Sequence, residues 1–270
     1  MFRRIHFISG LPRSGSTLLA ALLRQNPRFQ AGMSSPLAGL FSALLGEMSA
    51  RNEFSVFIDD DRRRRVLRGL FEQFHADAQA EVVFDTNRAW CARLPAIAGL
   101  FPDARVIACV RDVPWIVDSI ERLVRKNAFQ PSAIFNYTAG GTVFTRANGI
   151  AGAEGMLGYA YDALKEAYFG EHAHRLLLVQ YETLTREPAR ALEAVYDFIG
   201  EPAYKHDTEH VEYDASAFDA KAGTPGLHAI QPRVQANERT TILPPELFAR
   251  FANDAFWRDP KLNLSDVRIV

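Results

Sequence analysis

The residues best suited to chemistry form a short loop near the amino terminus. Positions 10–17 read Gly-Leu-Pro-Arg-Ser-Gly-Ser-Thr and join an apolar run to a leucine-rich segment. Their spacing is that of a phosphate-binding loop, in which backbone N–H groups surround an anion at the start of a helix. Ser16 stands where nucleoside triphosphatases have a lysine, so Arg13 is the cation of this loop. The loop predicts an anion site unsuited to a triphosphate, although Gly15 and the serines are also typical of a plain helix-starting turn.

A second pair of residues favours anion binding further along the chain. Arg111 follows the apolar run 105–110, and Ser119 comes eight residues later on the helix that Pro114 begins. Since Ser119 is about one and a half turns into that helix, both side chains can reach one anion near its N-terminus. Two separate anion sites suit a ligand with two well-separated phosphates. Adenosine 3′-phosphate 5′-phosphosulfate (PAPS) is such a ligand.

An alternation of strands and helices positions these motifs. The apolar runs that predict strands are 5–8, 82–84, 105–110 and 175–180, and a segment with helical spacing of its apolar residues follows each. The polar segments at the strand ends are 10–17, 85–88, 111–119 and 181–183. The pattern predicts an α/β fold, a P-loop-type three-layer sandwich with a mostly parallel central sheet and helices on both faces. In such a sheet, ligands bind beyond the carboxyl ends of the strands, where we expect the four polar segments to converge.

One domain is expected over residues 1–270, with its core at about 4–200. From 127 to 152, glycines and aromatic residues follow one another with little periodicity, which predicts a long loop on the acceptor side of the site. The segment 201–270 is polar and predicts an irregular tail that can close over the site, with one further helix between 244 and 254.

Charge and hydropathy limit the partners of the chain. Its 31 Lys and Arg nearly balance its 32 Asp and Glu, so there is no overall attraction to nucleic acid or an anionic membrane. The absence of a long apolar run or a signal-peptide core predicts a cytoplasmic protein. Cys91 and Cys109 match no metal-ligand spacing and are expected to be buried thiols. The charged run 59–65 pairs acids with arginines at helical spacing and predicts a solvated helix surface.

With both anion motifs in this order, the chain resembles the PAPS-dependent sulfotransferases, in particular their bacterial and tyrosylprotein-type branch. The resemblance rests on Pro12-Arg13-Ser14-Gly15-Ser16-Thr17-Leu18-Leu19 and on Val110-Arg111-Asp112 with Ser119, and it runs from about Phe7 to Gly200. It implies that Arg13, Ser14, Gly15, Ser16, Thr17 and Leu18 hold the 5′-phosphosulfate. It also implies that Arg111 and Ser119 hold the 3′-phosphate and that Tyr181 helps to hold the nucleotide.

Sulfuryl transfer needs a base for the acceptor proton, an in-line approach to sulfur and positive charge beside the developing oxygens. Arg13 is the first candidate for that charge, because a guanidinium stays charged and contacts two oxygens at once. The family often has a lysine just after the strand that ends here at Asp85, but Thr86 takes that place. Arg88 is a catalytic candidate for the missing charge or, equally, a helix-start residue paired with Asp85.

The resemblance does not identify the general base. Tyrosylprotein-type enzymes carry it as a glutamate soon after the first helix, whereas residues 31–36 contain no carboxylate. Asp85 is the first candidate, because its position at a strand end faces the expected site. His228, on the glycine-rich tail, is the second.

The sequence thus predicts an enzyme that moves the sulfuryl group of PAPS to a hydroxyl or amine of a small-molecule or peptide acceptor, releasing adenosine 3′,5′-bisphosphate (PAP). No metal is expected to take part, and a homodimer is left open. One alternative is a phosphotransferase using ATP and magnesium, since Asp112 after an apolar strand imitates a magnesium-binding aspartate. The other is a catalytically inactive module that only binds PAP or PAPS.

Overall fold

Six parallel strands form the sheet that carries the site. The computed structural model describes residues 4–130, 132 and 141–270. The strands are β1 (Arg4–Gly10), β2 (Phe29–Ala31), β3 (Val82–Thr86), β4 (Val106–Val110), β5 (Leu176–Gln180) and β6 (Arg268–Ile269). Their order across the sheet is β2-β3-β1-β4-β5-β6, and each neighbouring pair is parallel. The predicted α/β fold is confirmed.

Helices cover both faces of this sheet. They are α1 (Ser16–Leu23), α2 (Leu37–Glu47), α3 (Asp60–Phe74), α4 (Leu94–Leu100), α5 (Val113–Lys126), α6 (Val143–Ala151), α7 (Met156–Phe169), α8 (Tyr181–Arg186), α9 (Pro188–Ile199), α10 (Ser216–Lys221) and α11 (Pro245–Arg250). One apolar core lies between the sheet and the helices α2 to α7, and a second lies between the sheet and the helices α1, α8 and α9. Because both faces are covered, β1, β3 and β4 are buried almost throughout.

The strand order fixes the place of the ligand crevice. From β1 the chain passes to β2 and β3 on one side of the sheet, then crosses to β4 and β5 on the other. The carboxyl ends of β1 and β4 therefore adjoin at a point where the connections leave in opposite directions, which is where open α/β sheets bind ligands. The register pairs Gly10 with Cys109 at this edge.

Phe7 lies at the centre of the larger core, and its side chain should contribute strongly to the stability of the protein. Its fully buried ring lies 5.7 Å from that of Phe71 and 5.2 Å from that of Trp90. Because removing the ring leaves a cavity, we expect Phe7→Ala to lower the free energy of unfolding by about 3–5 kcal/mol. Chemical denaturation measures this change. Phe54→Ala, at a side chain that is 63% exposed, is the control, and a loss no larger than the control's would contradict the prediction.

The structure corrects the expected loop at 127–152. Residues Val143–Ala151 form α6, whose N-cap Thr142 accepts a hydrogen bond at Oγ1 from the backbone N–H of Thr145 at 3.3 Å. Ala147 and Ile150 bury one face of this helix, a spacing that the surrounding glycines obscured in the sequence. Residues 131 and 133–140, which include Phe135 and Tyr137 of the expected loop, lie outside the described residues.

The tail 201–270 is more ordered than predicted. It contains α10 and α11, and its last residues form β6, which pairs with β5 at the edge of the sheet. The charged run 59–65 begins α3, where Asp59 Oδ1 accepts from the backbone N–H of Arg62 and most of the arginines are exposed. Over the described residues, the helices are all too short or too polar to cross a membrane.

Candidate active site

The phosphate loop connects β1 to α1 in a tight backbone turn. Gly10 has a φ of 103°, and a Cβ there would lie 2.2 Å from the backbone oxygen of Cys109, so only glycine fits. Arg13 also has a positive φ, 58°, which is uncommon outside glycine and clusters at functional sites. The loop thus holds its arginine in a conformation set by the surrounding structure.

Arg13 joins the two predicted anion motifs. Its Nε donates to Ser119 Oγ at 3.1 Å, and its Nη1 donates to the backbone oxygen of Leu227. Arg111 Nη1 donates to the backbone oxygen of Arg13 at 3.3 Å. Burial lowers the pKa of Arg13, and the positive charge of Arg111 lowers it further. Arg13 of the loop and the Arg111–Ser119 pair, 98 or more residues apart in sequence, therefore form one cationic site.

Arg111 lies against the aromatic ring of Tyr181. The guanidinium carbon is 4.0 Å from the ring centroid, a cation–π distance, and burial lowers the pKa of Arg111. Its Nε is buried and has no hydrogen-bond partner among the described residues. The three residues expected to hold the 3′-phosphate end of a nucleotide, Arg111, Ser119 and Tyr181, thus lie together.

A first cavity of about 240 Å³ opens between these motifs and the tail. Gly15, Thr17 and Leu18 of the loop line it on one side, and residues 227–239 of the tail line it on the other. The tail adds Arg239, whose guanidinium pairs with the fully buried Asp118 at 2.9 Å. Sequence reasoning missed Arg239, since no periodicity or motif marks it. The predicted residue Ser14 is buried below the loop, where its Oγ donates to the backbone oxygen of Pro12 at 3.3 Å.

A second cavity of about 220 Å³ adjoins the first. The two share Arg13, Leu227 and His228. The second cavity is further lined by Ile8, Ser9, Gly10, Leu11, Pro12, Ser16, Ser34, Thr86, Asn87, Arg88, Met156 and Phe218. Arg13 therefore lies where a group bound in one cavity would meet a group bound in the other.

Asp85 lies outside both cavities. Its carboxylate is 1% exposed and accepts hydrogen bonds from Ser35 Oγ at 2.9 Å and Trp90 Nε1 at 2.8 Å, with His75 Nε2 3.3 Å away. The expected pair of Asp85 with Arg88 does not form. The cause is strand alternation, which turns Asp85 toward α3 and Trp90 rather than toward the edge of the sheet.

His228, the second candidate base, lies at the two cavities, which the Asp85 carboxylate does not reach. Its Nδ1 lies 2.6 Å from Asp219 Oδ1, and its backbone N–H donates to Asp219 Oδ2 at 2.8 Å. Asp219, on α10, is only 2% exposed. A carboxylate at Nδ1 fixes the tautomer that leaves Nε2 free to accept a proton. Of the two base candidates, His228 is the one that lines both cavities.

Asp112 does not face the cavities either. Its Oδ1 pairs with Arg258 Nη1 at 2.7 Å, so its charge is already balanced. Within residues 4–130, 132 and 141–270, no group of three His, Cys, Asp or Glu side chains is placed to hold a metal ion.

The chain resembles known proteins in its sequence pattern and in its fold. The model of the Sulfotransferase family matches residues 6–206. The sulfotransferase domain from the curacin biosynthetic pathway aligns at 14% identity over 76% of each chain, with a TM-score of 0.51. The sulfotransferase domain from the Synechococcus PCC 7002 olefin synthase aligns at 20% identity over 96% of each chain, with a TM-score of 0.48. A sulfotransferase from Alicyclobacillus acidocaldarius aligns at 16% identity over 82% of this chain and 92% of that one, with a TM-score of 0.46.

No curated protein matches the chain significantly. The likeness to the curacin-pathway domain shows a common fold, and the family match extends from β1 to beyond α9. The chain belongs to the sulfotransferase family.

Proposed function

We propose that the chain transfers the sulfuryl group of PAPS to a hydroxyl or amine of an acceptor and releases PAP. The observation that supports this most is the hydrogen bond from Arg13 to Ser119, which joins the phosphate loop to the second anion motif. Both motifs line the same cavity. A nucleotide with phosphates at its 3′ and 5′ positions needs two such neighbouring sites.

The residues of the first cavity fit this ligand. Among the described residues, no carboxylate lies within ion-pair distance of Arg13 or Arg111. Partly buried guanidinium groups without a counter-ion are stabilised when an anion binds. A Cβ at Gly15 would lie 3.2 Å from the ring of Tyr181, so this glycine lets the loop approach the ring closely. The cavity therefore suits an anionic ligand.

Roles follow from these positions. Residues Arg13 to Leu18 would hold the 5′-phosphosulfate, while Arg111 and Ser119 would hold the 3′-phosphate beside Tyr181. When bound, PAPS supplies a sulfuryl group that is already activated by its phosphate leaving group. Arg13 offsets the charge that develops on the sulfuryl oxygens and on the departing phosphate oxygen.

We assign the base to His228 rather than to Asp85, because the Asp85 carboxylate lies outside the cavities. His228 Nε2 accepts the proton of the acceptor group as the acceptor atom bonds to sulfur and the bond from sulfur to the phosphate oxygen breaks. Asp219 orients the ring and stabilises the imidazolium that forms. The cytoplasm is the compartment we propose, since Cys91 and Cys109 are both free thiols.

Arg111→Ala tests the nucleotide assignment. We expect this variant to bind PAP about 10- to 100-fold more weakly while its affinity for 5′-AMP changes little, because only PAP carries the 3′-phosphate. Calorimetric titration with each nucleotide, with and without magnesium, measures the difference. Arg190→Ala, at an exposed arginine paired with Glu187, is the control. Equal losses for both nucleotides would contradict the role of Arg111.

The same titrations separate the alternatives. Preferential binding of ATP with magnesium would overturn the sulfotransferase proposal in favour of a phosphotransferase. Binding of PAP without transfer of labelled sulfate from PAPS to any acceptor would indicate an inactive module.

A further inference from the structure

The charge of the second cavity restricts the acceptor. Its lining contains the cations Arg13 and Arg88 and the imidazole of His228, and its described lining includes no carboxylate. A cationic amine placed there would meet Arg13 and Arg88, and the nearby Asp219 carboxylate is already bonded to His228. The remaining walls are largely apolar, with Leu11, Met156 and Phe218 among them. The cavity therefore combines an apolar surface with excess positive charge.

Arg88 is a cation of the second cavity to which the site as described so far assigns no partner. Its backbone is held in place, because its carbonyl oxygen accepts from Ser9 Oγ at 3.0 Å and the preceding Asn87 donates to the backbone oxygen of Ser35 at 3.1 Å. Its guanidinium has no hydrogen bond or ion pair with any described residue, and burial lowers its pKa. A partly desolvated cation held in this way is stabilised when an anion enters the cavity.

Two anions could meet Arg88: the transferring sulfuryl group or a group on the acceptor. The sulfuryl group already has a cation in Arg13, which lines both cavities. Arg88 lines only the second cavity, together with Met156 and Phe218 from outside the phosphate loop. Its position therefore favours contact with the acceptor.

We propose that the acceptor is a small hydroxy compound with an apolar body and a carboxylate, and that Arg88 binds this carboxylate. This inference rests on the proposed sulfuryl transfer and narrows its acceptor from hydroxyl or amine compounds in general to hydroxy acids. A guanidinium suits the role, because it can donate two parallel hydrogen bonds to one carboxylate. Arg88 thus selects the acceptor by charge, while His228 removes the proton of its hydroxyl.

Binding of two unreactive probes tests the proposal without turnover. Phenylacetate and phenylacetamide have the same aromatic body, and only the first has a charge. We expect phenylacetate to bind the PAP-saturated protein about 10-fold or more tightly than phenylacetamide, as measured by calorimetry. Arg88→Met should abolish this difference, and Arg88→Lys should retain part of it. Arg93→Met is the matched control, because Arg93 lies on the same 3-10 segment and donates to Ser42 outside the cavity.

Equal binding of the two probes by the unmodified protein would overturn the proposal, as would a preference for phenylacetate that survives in Arg88→Met. Thermal denaturation of each variant shows whether it is folded. Failure to bind PAP would count against the proposed function alone, since the preference for phenylacetate can also be measured without nucleotide.

Turnover of three matched phenols gives a second test. 4-Hydroxyphenylacetate, 4-hydroxyphenylacetamide and tyramine are an anion, a neutral compound and a cation with the same reacting hydroxyl. We expect kcat/KM to be highest for the anion, lower for the neutral compound and lowest for the cation. In Arg88→Met, the ratio of kcat/KM for 4-hydroxyphenylacetate to that for 4-hydroxyphenylacetamide should drop about 10-fold. Equal losses on all three acceptors would overturn the proposal and assign Arg88 to the transferring group.

Discussion

Replacing His228 by alanine is expected to lower kcat by about 10²- to 10⁴-fold, the usual contribution of a positioned general base. The carboxylate of Asp219 holds Nδ1 at 2.6 Å, so Nε2 is the nitrogen that the acceptor proton can reach. Steady-state kinetics with PAPS should show the loss mainly in kcat, since the acceptor still binds. Added imidazole should restore part of the rate.

His210 provides a matched control for this experiment. It also pairs with an aspartate, Asp207, at 3.0 Å, but its side chain is 81% exposed and outside both cavities. His210→Ala should therefore leave kcat unchanged. Asp219→Asn should lower kcat while retaining His228, because the ring is no longer oriented by a charge. A kcat in His228→Ala as high as that of His210→Ala would remove His228 as the base.

The sequence was sufficient for the parts of the site that come from motifs. The apolar runs ending near Gly10 and Val110 predicted two strands of a mostly parallel sheet, and the parallel register of β1 with β4 confirms them. Since both motifs follow these strands, the meeting of Arg13 with Ser119 was a consequence of parallel strand order. Neither motif alone predicted it, because strand order is a property of the whole sheet.

The tail shows why the rest was not predictable. Asp219 and His228 meet because the chain turns back between them, with a φ of 67° at Gly223 and 86° at Gly226. The sequence predicted an irregular tail there, but not which side chains the tail would bring together. Arg239 reaches Asp118 across more than 100 residues, a contact that depends on packing of the tail against α5.

Asp85 illustrates a different limit. Its place at the end of β3 correctly predicted that Asp85 lies near the carboxyl edge of the sheet. A side chain there can point to either face of the sheet, however. Phe84 lies in the core beneath α1 and α9, so Asp85 turns to the opposite face and binds Ser35 and Trp90.

Arg13 is the charged side chain of the phosphate loop, and it lines both cavities. We expect Arg13→Ala to lower kcat by about 100-fold or more, the effect of removing a preorganised charge from a transition state. The kcat of Arg13→Lys should lie between those of the unmodified protein and Arg13→Ala, because lysine keeps the positive charge but cannot donate two parallel hydrogen bonds as a guanidinium does. Single-turnover kinetics with PAPS measures the rate of the sulfuryl-transfer step. Titration with PAP shows separately whether the variant binds the nucleotide more weakly. Arg24→Ala is the control, because Arg24 is the C-cap of α1 and its guanidinium lies over the ring of Tyr213. A change confined to KM would show instead that Arg13 binds the ground state and transition state equally, and the charge beside the sulfuryl group would then have to come from another residue.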